Sequence, residues 1–298
     1  MIIYIVIGIA LVGYPLFYIR KSIDKQTERI EERNLYVKNN SIYLGERELY
    51  RLIPIEGGNL EIGGISRNIN LEHSKNDSNA RYLFNKKKVN GFIIGETPVT
   101  LELWNYVHAD TLPDNDDGLT VYVCGLSPKQ WMSFVEKLNA LTGRTFRMPT
   151  SEEWEYAARG GIYSHGYMFS GSNDIDEVAI YGGNYTKEKV DEPDVFFDGK
   201  MKKPNELGLY DMSGGVWELT STLQLYKDPI NIIFYNQFLE KKRKGTLSED
   251  ELLFLKAFEQ PLARGGAFYS SKEECEINCI SNDYQVTPKT GLRLVLEY

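Results

Sequence analysis

From residue 160 to 222 the chain is rich in Gly, Asn, Asp and Tyr and shows almost no hydrophobic periodicity. A stretch of that length cannot satisfy its backbone through a regular ladder of its own. It must be held by something other than regular secondary structure. That requirement favours an irregular, loop-rich fold over a helix bundle. The 26 glycines and the 20 Tyr, 13 Phe and 4 Trp residues agree with it.

The flanking segments are more regular. Residues 41–66 alternate and end in Gly pairs, which predicts two or three strands with turns at Gly45, Gly57–Gly58 and Gly63–Gly64. Residues 67–90 are polar and read as a surface loop, and GFIIGETPVT reads as a strand feeding a turn. Three helices then carry start signals. Thr100 caps LELWNYVHA. Ser127 caps the next, with Pro128 at its first position and Gln130 completing a capping box, and Gly143 ends it. Thr150 with Glu153 makes a further box for SEEWEYAAR. Residues 230–260 change character and predict two helices split at Gly245, the second capped by Ser248 and Glu251, as a hairpin within an insertion at 223–262.

Residues 1–19 carry no charge and would span roughly 28 Å as a helix, about one bilayer core. The expectation is a single-pass membrane anchor at 1–19 and a charged linker at 20–40. Arg20, Lys21, Lys25 and Arg29 place the following 41–298 domain in the cytoplasm by the positive-inside rule. The net charge of −8 argues against a nucleic-acid partner.

Five segments, in order, resemble the formylglycine-generating enzyme (sulfatase-modifying factor) family: IPIEGGNLEIGG, GETPVTLELWNYV, TGRTFRMPTSEEWEYAARGG, NELGLYDMSGGVWEL, and ARGGAF followed by GLRLV. The resemblance covers about residues 50–298. It implies an α/β (α+β) fold related to C-type lectins, low in regular structure. Trp154, Tyr156 and Trp217 read as aromatic anchors of irregular backbone, and Arg159 and Arg264 as donors to buried loop carbonyls.

The resemblance also implies a structural calcium site, with side-chain oxygens of Asp211 and Glu218 and backbone carbonyls of Gly214 and Val216 as ligands. Gly215 stands where the family usually has Asn. Calcium takes six to eight oxygens, which a tight glycine turn can aim at one point. Asp211 and Glu218 capping turns without a metal is the alternative. A second family calcium site would begin at Asn184 and Tyr185, with Asp198 as the candidate for its later carboxylate.

Family oxidases bind copper(I) through two cysteines, as suits a soft ion. Those positions are Ser270 and Cys275 here, and the nearby family serine is Ala267. One copper ligand is therefore missing, although Cys279 is near enough in sequence to be weighed as a substitute. Structural cysteines, or a Cys275–Cys279 bridge, are the alternatives. The three histidines, His73, His108 and His165, do not form the cluster that the family's iron enzymes use. There is no Ser-His-Asp signature, phosphate loop or zinc spacing. The expectation is a non-catalytic protein-binding or assembly module, with copper absent and partners met through loops and the 223–262 insertion. The alternatives are a divergent copper-dependent oxidase using Cys275, Cys279 and Ser270, and, third, carbohydrate binding at the calcium site, where protein oxygens would leave little room for sugar hydroxyls.

Overall fold

The computed structural model describes residues 35–62, 85–108, 120–185, 196–223, 229–258, 261–281 and 290–297. Its elements in chain order are β1 (Leu35–Lys38), β2 (Ser41–Leu44), β3 (Arg47–Ile55), β4 (Gly58–Ile62), β5 (Asn85–Val89), β6 (Phe92–Gly95), α1 (Leu101–His108), β7 (Thr120–Val123), α2 (Pro128–Thr142), β8 (Phe146–Arg147), α3 (Ser151–Ala158) and α4 (Ile175–Val178). There follow β9 (Phe196–Gly199), β10 (Trp217–Leu223), α5 (Pro229–Arg243), α6 (Glu249–Phe258), β11 (Pro261–Arg264), β12 (Thr290–Leu292) and β13 (Val295–Leu296).

The largest sheet has the order β1-β2-β3-β6-β13-β8. The last strand in sequence thus enters between two earlier ones, antiparallel to both β6 and β8. All four residues of β6 are buried because both faces of the sheet are covered. Ile93 and Leu296 face a cluster with Leu101, Leu103 and Val107 of α1 and Trp131, Phe134 and Leu138 of α2. Phe92, Ile94 and Val295 face the opposite cluster, with Trp154, Tyr156 and Ala157 of α3. Alternation with period two sends neighbouring side chains to opposite layers. A second sheet, β11-β10-β12, pairs β10 parallel to β12 and antiparallel to β11.

The capping boxes form as their residue types dictate. Ser127 and Gln130 exchange bonds at the start of α2, which Gly143 ends in the left-handed conformation. Thr150 and Glu153 do the same at α3, and Ser248 and Glu251 at α6. The fold is therefore mixed α+β, with several sheets and few helices. β9 and β10 add strands inside the segment that carries no periodicity in sequence.

One expectation is corrected. Single-pass membrane localisation with a cytoplasmic domain is not supported: among the described residues no helix is long and apolar enough to cross a membrane. Residues 1–19 and most of the 20–40 linker lie outside the described residues.

Candidate functional site

The last strands place one arginine at the junction of the two large sheets. Arg293 sits between β12 and β13 and is fully buried. All five of its N–H groups find acceptors. Nε donates to Glu218 Oε2 at 2.9 Å and Nη2 to Glu218 Oε1 at 2.7 Å. The rest go to backbone carbonyls: Nη1 to Gly95 and Glu96 at 3.0 and 2.7 Å, and Nη2 to Tyr210 at 2.8 Å. A guanidinium offers five donors in a rigid fork that matches a carboxylate on two edges. Burial alone would lower the Arg293 pKa, but the facing Glu218 carboxylate reverses this and the net shift is upward.

Glu218 lies on β10, opposite Gly291 of β12 and Arg264 of β11. Its Oε2 also accepts from Trp154 Nε1 at 2.8 Å, which brings α3 into the same centre. One ion pair therefore ties β6, β10, β12–β13, α3 and the 205–216 loop.

Asp211 serves a neighbouring junction. Its backbone is left-handed, with φ of 55°. Its Oδ2 accepts from Tyr122 OH on β7 at 2.5 Å and from the Lys200 backbone N–H, just beyond β9, at 2.7 Å. Burial pushes its carboxyl above the usual aspartate range, although both donors oppose that shift.

These contacts decide how the residues expected to hold calcium are used. Both Glu218 oxygens are bound by Arg293 and Trp154, and one Asp211 oxygen is bound by Tyr122 and Lys200. A calcium ion drawing on Glu218 would have to share that carboxylate with a guanidinium of like charge. The residues do not fit a calcium centre built through Glu218. Gly214, with φ of 74°, is required for another reason: a Cβ there would lie 2.3 Å from the Ile180 carbonyl oxygen. Gly214 N–H donates to the Gly265 carbonyl, and Phe268 N–H donates to the Gly215 carbonyl. The two glycine pairs, 214–215 and 265–266, thus zip together, with Val216 buried behind them.

At the second position expected to hold calcium, Asn184 braces a loop, accepting from Tyr181 N–H and donating to Asp176 and the Ala179 carbonyl. The Tyr185 ring lies against Phe268, and Asp198 is exposed on β9. Among the described residues no three His, Cys, Asp or Glu side chains group as metal ligands do. His108 stacks on Trp104 with centroids 4.0 Å apart, His165 lies against Tyr167, and His73 is outside the described residues.

The cysteine loop is anchored by a second arginine. Arg264 donates to Ser151 Oγ, to Glu155 Oε2 at 3.0 Å, and to the carbonyls of Ile277 and Cys279. Arg159 holds the other Glu155 oxygen at 2.7 Å rather than a loop carbonyl. Ser270 closes the turn that follows the glycine pair: its Oγ accepts from Ala267 N–H at 3.1 Å and its N–H donates to the Ala267 carbonyl. Cys275 is wholly buried with Phe169, Ile175, Val178 and Ala179. Burial, helped by the Glu274 charge, pushes its thiol up to about 12. Gly266 has φ of 76°, and a Cβ there would come within 2.7 Å of Cys275 Sγ. Cys124, Cys275 and Cys279 are all unbridged. A thiol raised that far is a poor nucleophile near neutral pH, because that role needs the thiolate.

Two organising residues have no counterpart in the reading of sequence alone. Arg293 lies inside a motif, GLRLV, but only its burial in an otherwise apolar run hints that it must be paired. Asn205 donates to the Ala157 carbonyl and Ser170 Oγ and accepts from the N–H groups of Leu207 and Leu209, so a single amide folds the loop ahead of β10.

Residues 44–298 match the family described as the sulfatase-modifying factor enzyme 1-like domain, and the chain belongs to that family. Among its relatives, the chaperone protein LppX of Paenibacillus barcinonensis is 43% identical over 83 residues, which is 24% of this chain and 30% of that protein. The inactive C-alpha-formylglycine-generating enzyme 2 of Bos taurus is 35% identical over 81 residues, 26% of each chain. The chain thus spans less than a third of either relative. Among solved structures, Treponema denticola variable protein 1 superimposes with a TM-score of 0.59 at 20% identity, covering 87% of this chain and 98% of that one. That likeness concerns the fold.

Proposed function

We propose that this domain is a non-catalytic member of its family and acts as a protein-binding or assembly module. The observation that carries the reading is the state of the two positions where family oxidases hold copper. Ser270 spends its hydroxyl on a turn, and Cys275 is a buried, protonated thiol among apolar side chains. A fold retained around a disabled site is available for recognition. The names of two relatives, a chaperone and an inactive enzyme, are in keeping with this.

The binding surface is assigned to the 223–262 insertion and the neighbouring loops. α5 and α6 pack on each other, joined by the Lys241–Glu251 ion pair. α5 leaves Ile233 57% exposed and Phe234 42% exposed. Adjacent apolar side chains held open to solvent on a helix suit docking against another protein. The double variant Ile233→Ser, Phe234→Ser is expected to change stability by less than about 1 kcal/mol, since exposed positions contribute little. It is expected to lose the cross-links that the wild-type chain forms in cells. A variant that keeps the same cross-linked partners would remove the insertion from the interface.

A further inference from the structure

We propose that Arg293 occupies the place a cation would take in this fold, so that the chain forms and keeps its central loop junction without calcium. A calcium ion between loops has two tasks: it neutralises buried carboxylate charge, and it gathers backbone carbonyls from segments that no strand ladder joins. Arg293 does both. Its fork neutralises Glu218 along two edges, at 2.7 and 2.9 Å, and its remaining N–H groups gather the carbonyls of Gly95, Glu96 and Tyr210. Trp154 Nε1 takes a further position on the same carboxylate. No donor of the guanidinium is left over, and the carboxylate is bonded on both oxygens.

Asp211, the other acidic residue of the segment, is held by neutral donors, the Tyr122 hydroxyl and the Lys200 N–H. The carbonyl oxygen of an asparagine can accept the same two bonds.

The test uses the full-length chain and calcium itself as the probe. Thermal unfolding is followed in excess EDTA and in millimolar calcium chloride, and calcium retained after desalting is measured by mass spectrometry. An ion bound at a thousandfold excess over its Kd would raise Tm by roughly 8–16 °C for a domain of this size. The expected result is a difference below about 2 °C and calcium well under about one per chain. Asp211→Asn is expected to stay within a few degrees of wild type in both conditions. Calcium retained near one per chain, or a Tm that falls by about 8 °C or more in EDTA, would overturn the proposal.

Discussion

Replacing Arg293 with Met is expected to destabilise the domain by about 3–5 kcal/mol, the cost of leaving a buried charge without its partner. Glu218 would keep a carboxylate in a site with no solvent exposure. The carbonyls of Gly95, Glu96 and Tyr210 would each lose a donor in the same step. Lysine does not repair the loss. It presents a point charge with three donors, where the site is shaped for a planar fork with five. Replacing both partners tests the origin of the effect: Arg293→Met with Glu218→Leu removes the stranded charge and is expected to recover part of the loss. Urea unfolding with an unchanged m-value is the measurement, since the midpoint then reports stability alone. A single variant costing less than about 1 kcal/mol would show that the ion pair does not organise the loops.

Trp154→Ala is expected to cost about 3–5 kcal/mol in the wild-type background, as for other buried tryptophans. The ring is completely buried in the cluster with Phe92, Ile94 and Val295, and a Cβ on Gly265 would sit 3.1 Å from it. Truncation therefore opens a cavity beneath the glycine pairs and removes the indole donor from Glu218 Oε2. Trp154→Phe separates these contributions. It keeps most of the volume and loses the N–H, so its cost should be nearer 1–3 kcal/mol, roughly the value of one hydrogen bond to a charged group. If the two variants cost the same, the hydrogen bond rather than the packing carries the residue's role. Because Trp154 and Arg293 share Glu218, their effects should not add.

The parts of this fold that are legible in the sequence are the local ones. Ser127 with Gln130, Thr150 with Glu153 and Ser248 with Glu251 announce helix starts because each box closes within four residues. β10 escapes such a reading. Its buried Glu218 breaks the apolar pattern, and it is admissible only because an arginine 75 residues later pairs with it. β9 likewise pairs with β7 across a long stretch of chain, and its four residues carry no periodicity of their own. Asp211 and Glu218 stand out in sequence as a carboxylate pair on a glycine turn, but the residues that claim their oxygens, Tyr122, Lys200, Trp154 and Arg293, come from four other segments. The spacing of Ser270 and Cys275 is equally visible. The burial that sets the chemistry of Cys275 comes from Phe169, Ile175, Val178 and Ala179, about a hundred residues upstream.

The central claim, that this family member does not perform copper chemistry, is tested most directly by loading the full-length chain with copper(I) under anaerobic conditions and measuring metal per chain. Copper well below about one per chain, unchanged by Cys275→Ser, is the predicted result, because copper(I) requires accessible thiolates. Copper near one per chain that disappears on Cys275→Ser would contradict the account and assign the domain an oxidase centre.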